Sequence, residues 1–460
     1  MDESSSDIVI LGAGIAGLYC AWRLSSAGRK NISLFEADER MGGRIHSIPV
    51  RDGSEDNIEL GAMRFQSHQP IISQLIKTLN LSTKKFPESG NEYYSLRGAQ
   101  LTEFSKMKWG QGYEIESSLA GYSPEQIIEM VAREIPKDLL PTSNHMPSEI
   151  AEKRGFIDFA LTKISREALQ LCIDADGYDS NFRNSQIVEA IKYHQRHSFQ
   201  NVESRRILPS SQALPEALYR QSIEQSVKIQ PSSRATRIFP GNDKIGIDLL
   251  LRDKSKLHKV NTNQVICTIP PRGLETIEFS DEHQRILNKN FESLIVENAS
   301  RIVFLYPKTW WAEMLSRNAR VVTDGPLRTI LFSEMKECST ITFNMEYDIK
   351  NLDTDSKLEN YITTALDQIL RVESPKPTRI IKKIWEETSS RCAYHSWQAG
   401  ADVEKVSSEF LKPFADAEIY FCGEAFSTQQ SWIEGALESA DRMLKKHFGL
   451  PRLLDMPSIQ

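Results

Sequence analysis

Gly12-Ala13-Gly14-Ile15-Ala16-Gly17 is the first cluster along the chain whose residue types and spacing suit a particular chemistry. Glycine at the first position permits a tight turn. At the second it lets the backbone approach a diphosphate, and at the third it lets a helix pack closely on a strand. The free N–H groups at the start of that helix add partial positive charge for the phosphates. Glu36 follows Gly17 by 19 residues, where a carboxylate can accept hydrogen bonds from a ribose. Met41-Gly42-Gly43-Arg44 then brings two more glycines and a guanidinium beside the same turn. Near the other end, Ile419-Tyr420-Phe421-Cys422 runs into Gly423-Glu424, and Ser431-Trp432-Ile433 opens a further helix. The first of these clusters, with Glu36, predicts a dinucleotide site.

The elements needed to hold them are legible nearby. Ile8-Val9-Ile10-Leu11 is a short apolar run of the kind buried in a parallel sheet. Residues 15–28 have helical spacing, with Ile15, Leu18, Trp22 and Leu24 apolar and Gly28 as a stop. Residues 32–35 form a second strand, so the first 36 residues make one βαβ unit. Further helices are expected over 70–81, 124–135, 156–171, 184–193, 213–225 and 432–447. Strands are expected at 227–229, 245–251, 264–269, 299–306, 339–346 and 417–421, with mixed strands and loops over 84–112. Pro136, Pro141 and Pro147 mark 136–150 as a surface loop. The helix-rich block 106–204 lies between two mixed α/β regions, so it is read as an inserted lobe.

Bulk properties exclude several classes. A chain of 460 residues needs two or three packed lobes. Its net charge of −6 disfavours nucleic acid and anionic membranes as partners. No apolar run reaches the roughly 18 residues of a membrane span. The start, Met1-Asp2-Glu3-Ser4, has no signal-peptide character. Cys20, Cys172, Cys267, Cys338, Cys392 and Cys422 are scattered without a CxxC pair, so neither a metal site nor a disulfide framework is expected, and a cytoplasmic location is the default.

With the Gly42-Gly43-Arg44 doublet beside Glu36, the chain resembles the FAD-dependent amine oxidase superfamily. The resemblance implies an α/β flavoprotein of the two-dinucleotide-binding-domain type: a Rossmann-like FAD domain (1–66, 205–294 and 412–450), a mixed-sheet substrate domain (67–105 and 295–411), a helical lobe (106–204) and a tail (451–460). It places Arg44 at the pyrophosphate and Gly423-Glu424 at the ribityl–phosphate region. The helix after Trp432 then begins beneath the flavin ring, with Trp432 as an aromatic wall towards substrate. The implied FAD-binding set is completed by Ile15, Ala16, Ala37, Gly61, Ala62, Met63, Arg64, Ala235, Trp397 and Ile433. Ser431 departs from the family, which has glycine there.

Glu59-Leu60-Gly61-Ala62-Met63-Arg64-Phe65 resembles the L-amino-acid oxidase and tryptophan monooxygenase clade. In that clade the arginine grips the substrate carboxylate, which suits a guanidinium with paired donors. Glu59 would support the flavin loop or touch substrate, and Tyr178 would line the entry. Arg301 stands where the family has a lysine that holds a water against flavin N5; Lys308 is a spare cation at the wrong spacing. Arginine keeps the positive charge but does not shuttle a proton. Cys392 falls where monoamine oxidases attach FAD covalently, whereas the amino-acid oxidase clade binds FAD non-covalently, which is the expectation here. Ala393 replaces an aromatic wall, leaving Trp397 or Tyr394 to fill the space. His395 is either an acid–base group or a structural histidine.

The resemblance implies hydride transfer from the carbon next to a neutral amine to flavin N5, giving an imine, with molecular oxygen reoxidising the flavin to yield hydrogen peroxide. An L-amino acid is the expected substrate, and a homodimer is common among such proteins. Two alternatives remain open. One is a biosynthetic oxidase of a larger amine or amide whose imine is trapped by cyclisation, motivated by Arg301 and Ser431. The other is a non-catalytic protein like the GDP-dissociation inhibitors, against which the complete set Glu36, Gly42, Gly43, Arg44, Gly423 and Glu424 argues.

Overall fold

The computed structural model describes residues 3–86, 90–135, 155–197, 203–241, 243–251, 257–345, 352 and 354–456. The expected loop at 136–150 lies outside the described residues. A seven-stranded sheet forms the base. Lys228–Gln230, Ile32–Phe35, Glu3–Leu11 and Leu257–Cys267 are its parallel centre, and Ile419–Phe421 pairs with the end of the last of these. Ile245–Leu251 and Ser233–Pro240 extend it antiparallel. Ile8–Leu11 is fully buried, as an apolar run covered on both faces should be. The strand starts earlier than expected, at Glu3, because the polar stretch before Asp7 pairs with Lys259–Thr262 of the long neighbouring strand. On one face pack the helices Ile15–Ser26, Ala213–Glu224 and Ile433–Phe448, which share one apolar core. Strands from both ends and from the middle of the chain thus share one sheet.

A second seven-stranded sheet runs Arg379–Ile384, Ser300–Tyr306, Ser339–Met345, Thr329–Glu334, Asn318–Thr323, Gly90–Ser95 and Thr102–Glu103. The helix Asp355–Leu370 covers it with Leu358, Ile362, Leu366 and their neighbours. The helices Pro124–Arg133, Phe156–Ala160, Arg166–Asp176 and Ile187–His197 form a separate apolar cluster that packs against this sheet at Tyr94 and Val322.

Where local expectation and structure differ, the reason is physical. The helix expected over 156–171 is two helices. Ser165 accepts from the Ala168 N–H (3.2 Å), capping a new start, and Glu116 accepts from the Ser165 N–H (2.6 Å). Asn318–Thr323 and Thr329–Glu334 are additional strands. They lie inside the second sheet with residues buried on both faces, Arg320 among them through its ion pair with Glu92, so they lack the apolar–polar alternation that marks a half-buried strand.

Candidate functional site

A long cleft of about 1530 Å³ opens at the carboxyl ends of the parallel strands and runs towards the second sheet. At one end lie Gly12, Gly14, Ile15 and Ala16, with Glu36 and Ala37 to one side and Gly42, Gly43 and Arg44 to the other. No side chain caps the Ile15–Ser26 helix and no acid sits in its first turn, so its N–H groups face the cleft unopposed. Gly12 has φ +100°, and a Cβ there would lie 2.7 Å from Thr268 Oγ1. A Cβ on Gly43 would come within 3.1 Å of Gly14 Cα and fill the cradle. Gly17 does not line the cleft. A Cβ on it would lie 1.9 Å from Gly12 O, so it is the close-packing glycine between helix and turn.

Glu36 is 7% exposed and its two oxygens accept from the Ala13 N–H (2.6 Å) and the Asp38 N–H (2.9 Å). Burial raises its pKa against those hydrogen bonds. Ala235, on the strand Ser233–Pro240, lines the same end.

A buried charge cluster occupies the middle of the cleft. Arg44 Nη1 donates to Glu424 Oε2 (2.7 Å) and to the Ala393 carbonyl (2.9 Å). Glu424 also accepts from the His395 N–H (2.9 Å), His395 Nδ1 (2.9 Å) and the Ser431 N–H (2.8 Å). Burial works against the Glu424 charge, but His395 and Arg44 outweigh it and hold the carboxyl well below its usual range. Burial likewise opposes the His395 charge; Glu424 outweighs it and raises the imidazole to about 9. His395 is completely buried and borders a small cavity of about 60 Å³ behind Trp432 rather than the cleft. Ser431 adopts φ +69°, the left-handed conformation that favours glycine, and its Oγ donates to the His395 carbonyl (3.1 Å).

Gly61, Ala62, Arg301, Trp432 and Ile433 line the far end. Arg301 donates from Nε to Asn344 Oδ1 (2.9 Å), and from Nη1 to the Glu59 carbonyl (3.1 Å) and the Gly61 carbonyl. Burial lowers its pKa to about 10, with Tyr178 and Glu59 opposing the fall and Arg64 adding to it, so it stays charged at neutral pH. No side chain caps the Ile433–Phe448 helix either. Its first-turn acid, Glu434, is turned away to accept from the Ile71 and Ile72 N–H groups (2.9 and 2.8 Å).

Trp432 also lines a second cavity of about 380 Å³ that extends into the helical lobe. Arg64 and Tyr178 line this cavity rather than the cleft. Tyr178 Oη accepts from Asn344 Nδ2 (3.4 Å), which ties it to the residue that holds Arg301.

Several expected site residues lie elsewhere. The Glu59 carboxylate turns away from both cavities to accept from Ser47 Oγ (2.6 Å) and the Ser211 N–H (2.8 Å); it braces the loop, and its carbonyl is what meets Arg301. Trp397 is 2% exposed, donates to the Ser427 carbonyl (3.2 Å) and packs on Phe426, because its strand Tyr394–Trp397 pairs with Leu294–Glu297 and points it into the core. Tyr394 borders the cleft instead. Met63 lies in the loop between Ala62, which lines the cleft, and Arg64, which lines the other cavity, and itself borders neither. Cys392 is fully buried behind Ala393, beside His395, so its thiol is set back from the cleft wall. Asn344 and Thr268 were not anticipated. Thr268, just past the strand Leu257–Cys267, donates from Oγ1 to the Leu11 and Gly12 carbonyls (3.1 and 3.0 Å), and neither it nor Asn344 carries a local sequence signal.

The glycine cradle, the buried Glu36 beside it and the cleft that joins both ends of the chain define a dinucleotide-binding fold. The family model for flavin-containing amine oxidoreductases matches residues 15–443, and the chain belongs to that family. An L-amino-acid oxidase of Mus musculus is 26% identical over 95% of this chain and 69% of its own length. Aplysianin-A of Aplysia kurodai is 22% identical over 97% of this chain and 91% of its own. Among solved structures, putrescine oxidase with bound putrescine superimposes with a TM-score of 0.73 at 15% identity, covering 98% of this chain and all of that one. The protein is an FAD-dependent amine oxidoreductase. The gap that a Cβ at Gly43 would fill and the uncapped helix start beside it fit the FAD pyrophosphate.

Proposed function

We propose that this enzyme oxidises the α-carbon–nitrogen bond of an L-amino acid. The observation that carries this reading is Arg64 on the wall of the 380 Å³ cavity, which shares Trp432 with the flavin cleft. FAD held by the Gly12–Gly17 turn, Gly43 and Arg44 would supply a two-electron acceptor for a hydride from the carbon next to nitrogen, with molecular oxygen as the final acceptor. The chain's own residues bind and orient. The Arg64 guanidinium offers paired donors to the substrate carboxylate. Trp432 provides the wall that sets the reacting carbon between cavity and cleft. The fixed charge of Arg301 and the uncapped Ile433–Phe448 helix favour negative charge at the far end of the cleft.

Arg301 in place of lysine, locked to backbone carbonyls, favours a second reading: a larger amine or amide whose imine is captured by cyclisation. Anaerobic bleaching of the flavin absorbance with a panel of L-amino acids separates the two. Rapid bleaching that Arg64→Ala slows by at least about 100-fold is expected, the loss of a bidentate ion pair. A yellow protein that no amino acid bleaches would reject the amino-acid reading.

A further inference from the structure

We infer that the cavity beside Trp432 takes an amino acid whose side chain ends in a cation, a diamino or guanidino acid. This rests on the amino-acid reading and adds the identity of the far group.

Three residues that line this one cavity each hold a buried acceptor atom that takes no hydrogen bond: Gln66 Oε1, Glu125 Oε2 and His194 Nε2. Such atoms are uncommon in folded proteins and each requires a reason. Gln66 is 4% exposed, on the strand Phe65–Gln66 just after Arg64. Glu125 lies in the first turn of the helix Pro124–Arg133. His194 lies on the helix Ile187–His197 and packs on Phe182, with ring centroids 4.7 Å apart. Burial lowers His194 to about 4, against a hydrogen bond to the Asn181 backbone. The ring is therefore neutral at physiological pH, and Nε2 offers a lone pair. An amide oxygen, a carboxylate oxygen and an imidazole lone pair all seek donors.

An ammonium brings three donors and a guanidinium five, and neither brings an acceptor. The other charges at this cavity do not serve the three atoms. Arg133 pairs with Glu129 (3.9 Å), both well exposed. Asp176 Oδ1 already accepts from the Tyr178 N–H (3.2 Å) and Asn181 Nδ2 (2.7 Å). Arg64 is the cation assigned to the carboxylate. A substrate with a carboxylate at one end and a cation at the other matches an arginine on the cleft side and a carboxylate in the helical lobe. An aliphatic side chain would leave the three acceptors buried and unpaired, which penalises it as a substrate. The volume of about 380 Å³ falls in the range of small-molecule sites and has room for an extended side chain.

The test uses the FAD-loaded enzyme and two readouts. In anaerobic bleaching, L-lysine, L-arginine and L-ornithine are compared with the neutral L-norleucine and L-leucine. In calorimetry under argon, 6-aminohexanoate (lysine without its α-amine) is compared with hexanoate. A preference of about 10- to 100-fold for the cationic member of each pair is expected, the effect of a charged hydrogen bond. Glu125→Gln should collapse both preferences, and Glu125→Asp should restore part of them. Equal bleaching by lysine and norleucine would overturn the inference while leaving the amino-acid reading intact. Preferential binding of 6-aminohexanoate with no bleaching by any amino acid would support the cation site and reject the oxidation of amino acids there. Loss of neither preference in Glu125→Gln would overturn the assignment.

Discussion

The pair His395–Glu424 makes the stability of this protein depend on pH in a defined window. The His395 imidazole rises from 6.5 to about 9 because the Glu424 charge outweighs burial. A group whose folded pKa is raised stabilises the fold fully below its unfolded pKa. That contribution declines as pH climbs and is gone above the folded pKa. Here the window runs from about pH 6.5 to about pH 9. At about 1.4 kcal/mol per pKa unit, the shift is worth on the order of 3 kcal/mol. Unfolding entropy for 460 residues is about 1 kcal/mol per degree, so the expected change in melting temperature is about 3 °C. The assay is thermal unfolding of the holoenzyme with excess FAD at pH 6, 7, 8, 9 and 10, for the native protein and His395→Asn. Both carry the same remaining titratable groups, so the difference between the two curves isolates His395. That difference should be largest at pH 6 and shrink by about 3 °C by pH 9. A gap that stays constant across the range would refute a charged His395 and leave a neutral hydrogen bond in its place.

Three other outcomes follow from the same geometry. Glu36→Ala should raise the FAD dissociation constant by about 10- to 100-fold, since it removes the ribose acceptor and frees the Ala13 and Asp38 N–H groups; equilibrium dialysis of the apoprotein measures it. Ser431→Gly relieves left-handed backbone strain but loses the bond to the His395 carbonyl, so its stability should stay within about 1 kcal/mol of native, while Ser431→Ala loses the bond without the relief and should cost about 1 kcal/mol, both read by denaturant unfolding. Acid precipitation should release all the flavin into the supernatant, because the Cys392 thiol is buried behind Ala393; flavin retained on the pellet would contradict that placement.

What could be read from the sequence was whatever backbone geometry writes locally. The turn at Gly12 and the packing at Gly17 demand glycine whatever surrounds them, so Gly-x-Gly-x-x-Gly with Glu36 stands out unaided. Side-chain direction was less legible. Glu59 ends the strand Asn57–Glu59 and Arg64 follows a few residues on, yet one braces Ser47 and Ser211 while the other lines a cavity, and nothing in their spacing distinguishes them. Trp397 failed for a similar reason. Four residues of strand point alternate side chains to opposite faces, and the partner at Leu294–Glu297 that decides which face is inward lies about a hundred residues away. The orphan acceptors were invisible because Gln66, Glu125 and His194 come from three separate elements that meet only in the fold.

An arginine at 301, where the resemblance to the family implies a lysine, can do a different task. A lysine ammonium is a compact charge that can hold a water and exchange a proton. The arginine fork instead reaches two carbonyls of the Glu59–Gly61 segment and the Asn344 side chain at once. Asn344 in turn donates to Tyr178, on the wall of the cavity that Arg64 also lines. One guanidinium therefore ties the Glu59–Gly61 segment that leads into Arg64, through one amide, to Tyr178 on the cavity wall. Arg64 itself adds to the lowering of the Arg301 pKa, so the two cations repel. A substrate carboxylate at Arg64 would relieve that repulsion. Arg301 is thereby a fixed charge that braces the Glu59–Gly61 segment and Asn344, and a guanidinium so held does not exchange a proton at neutral pH as a lysine could.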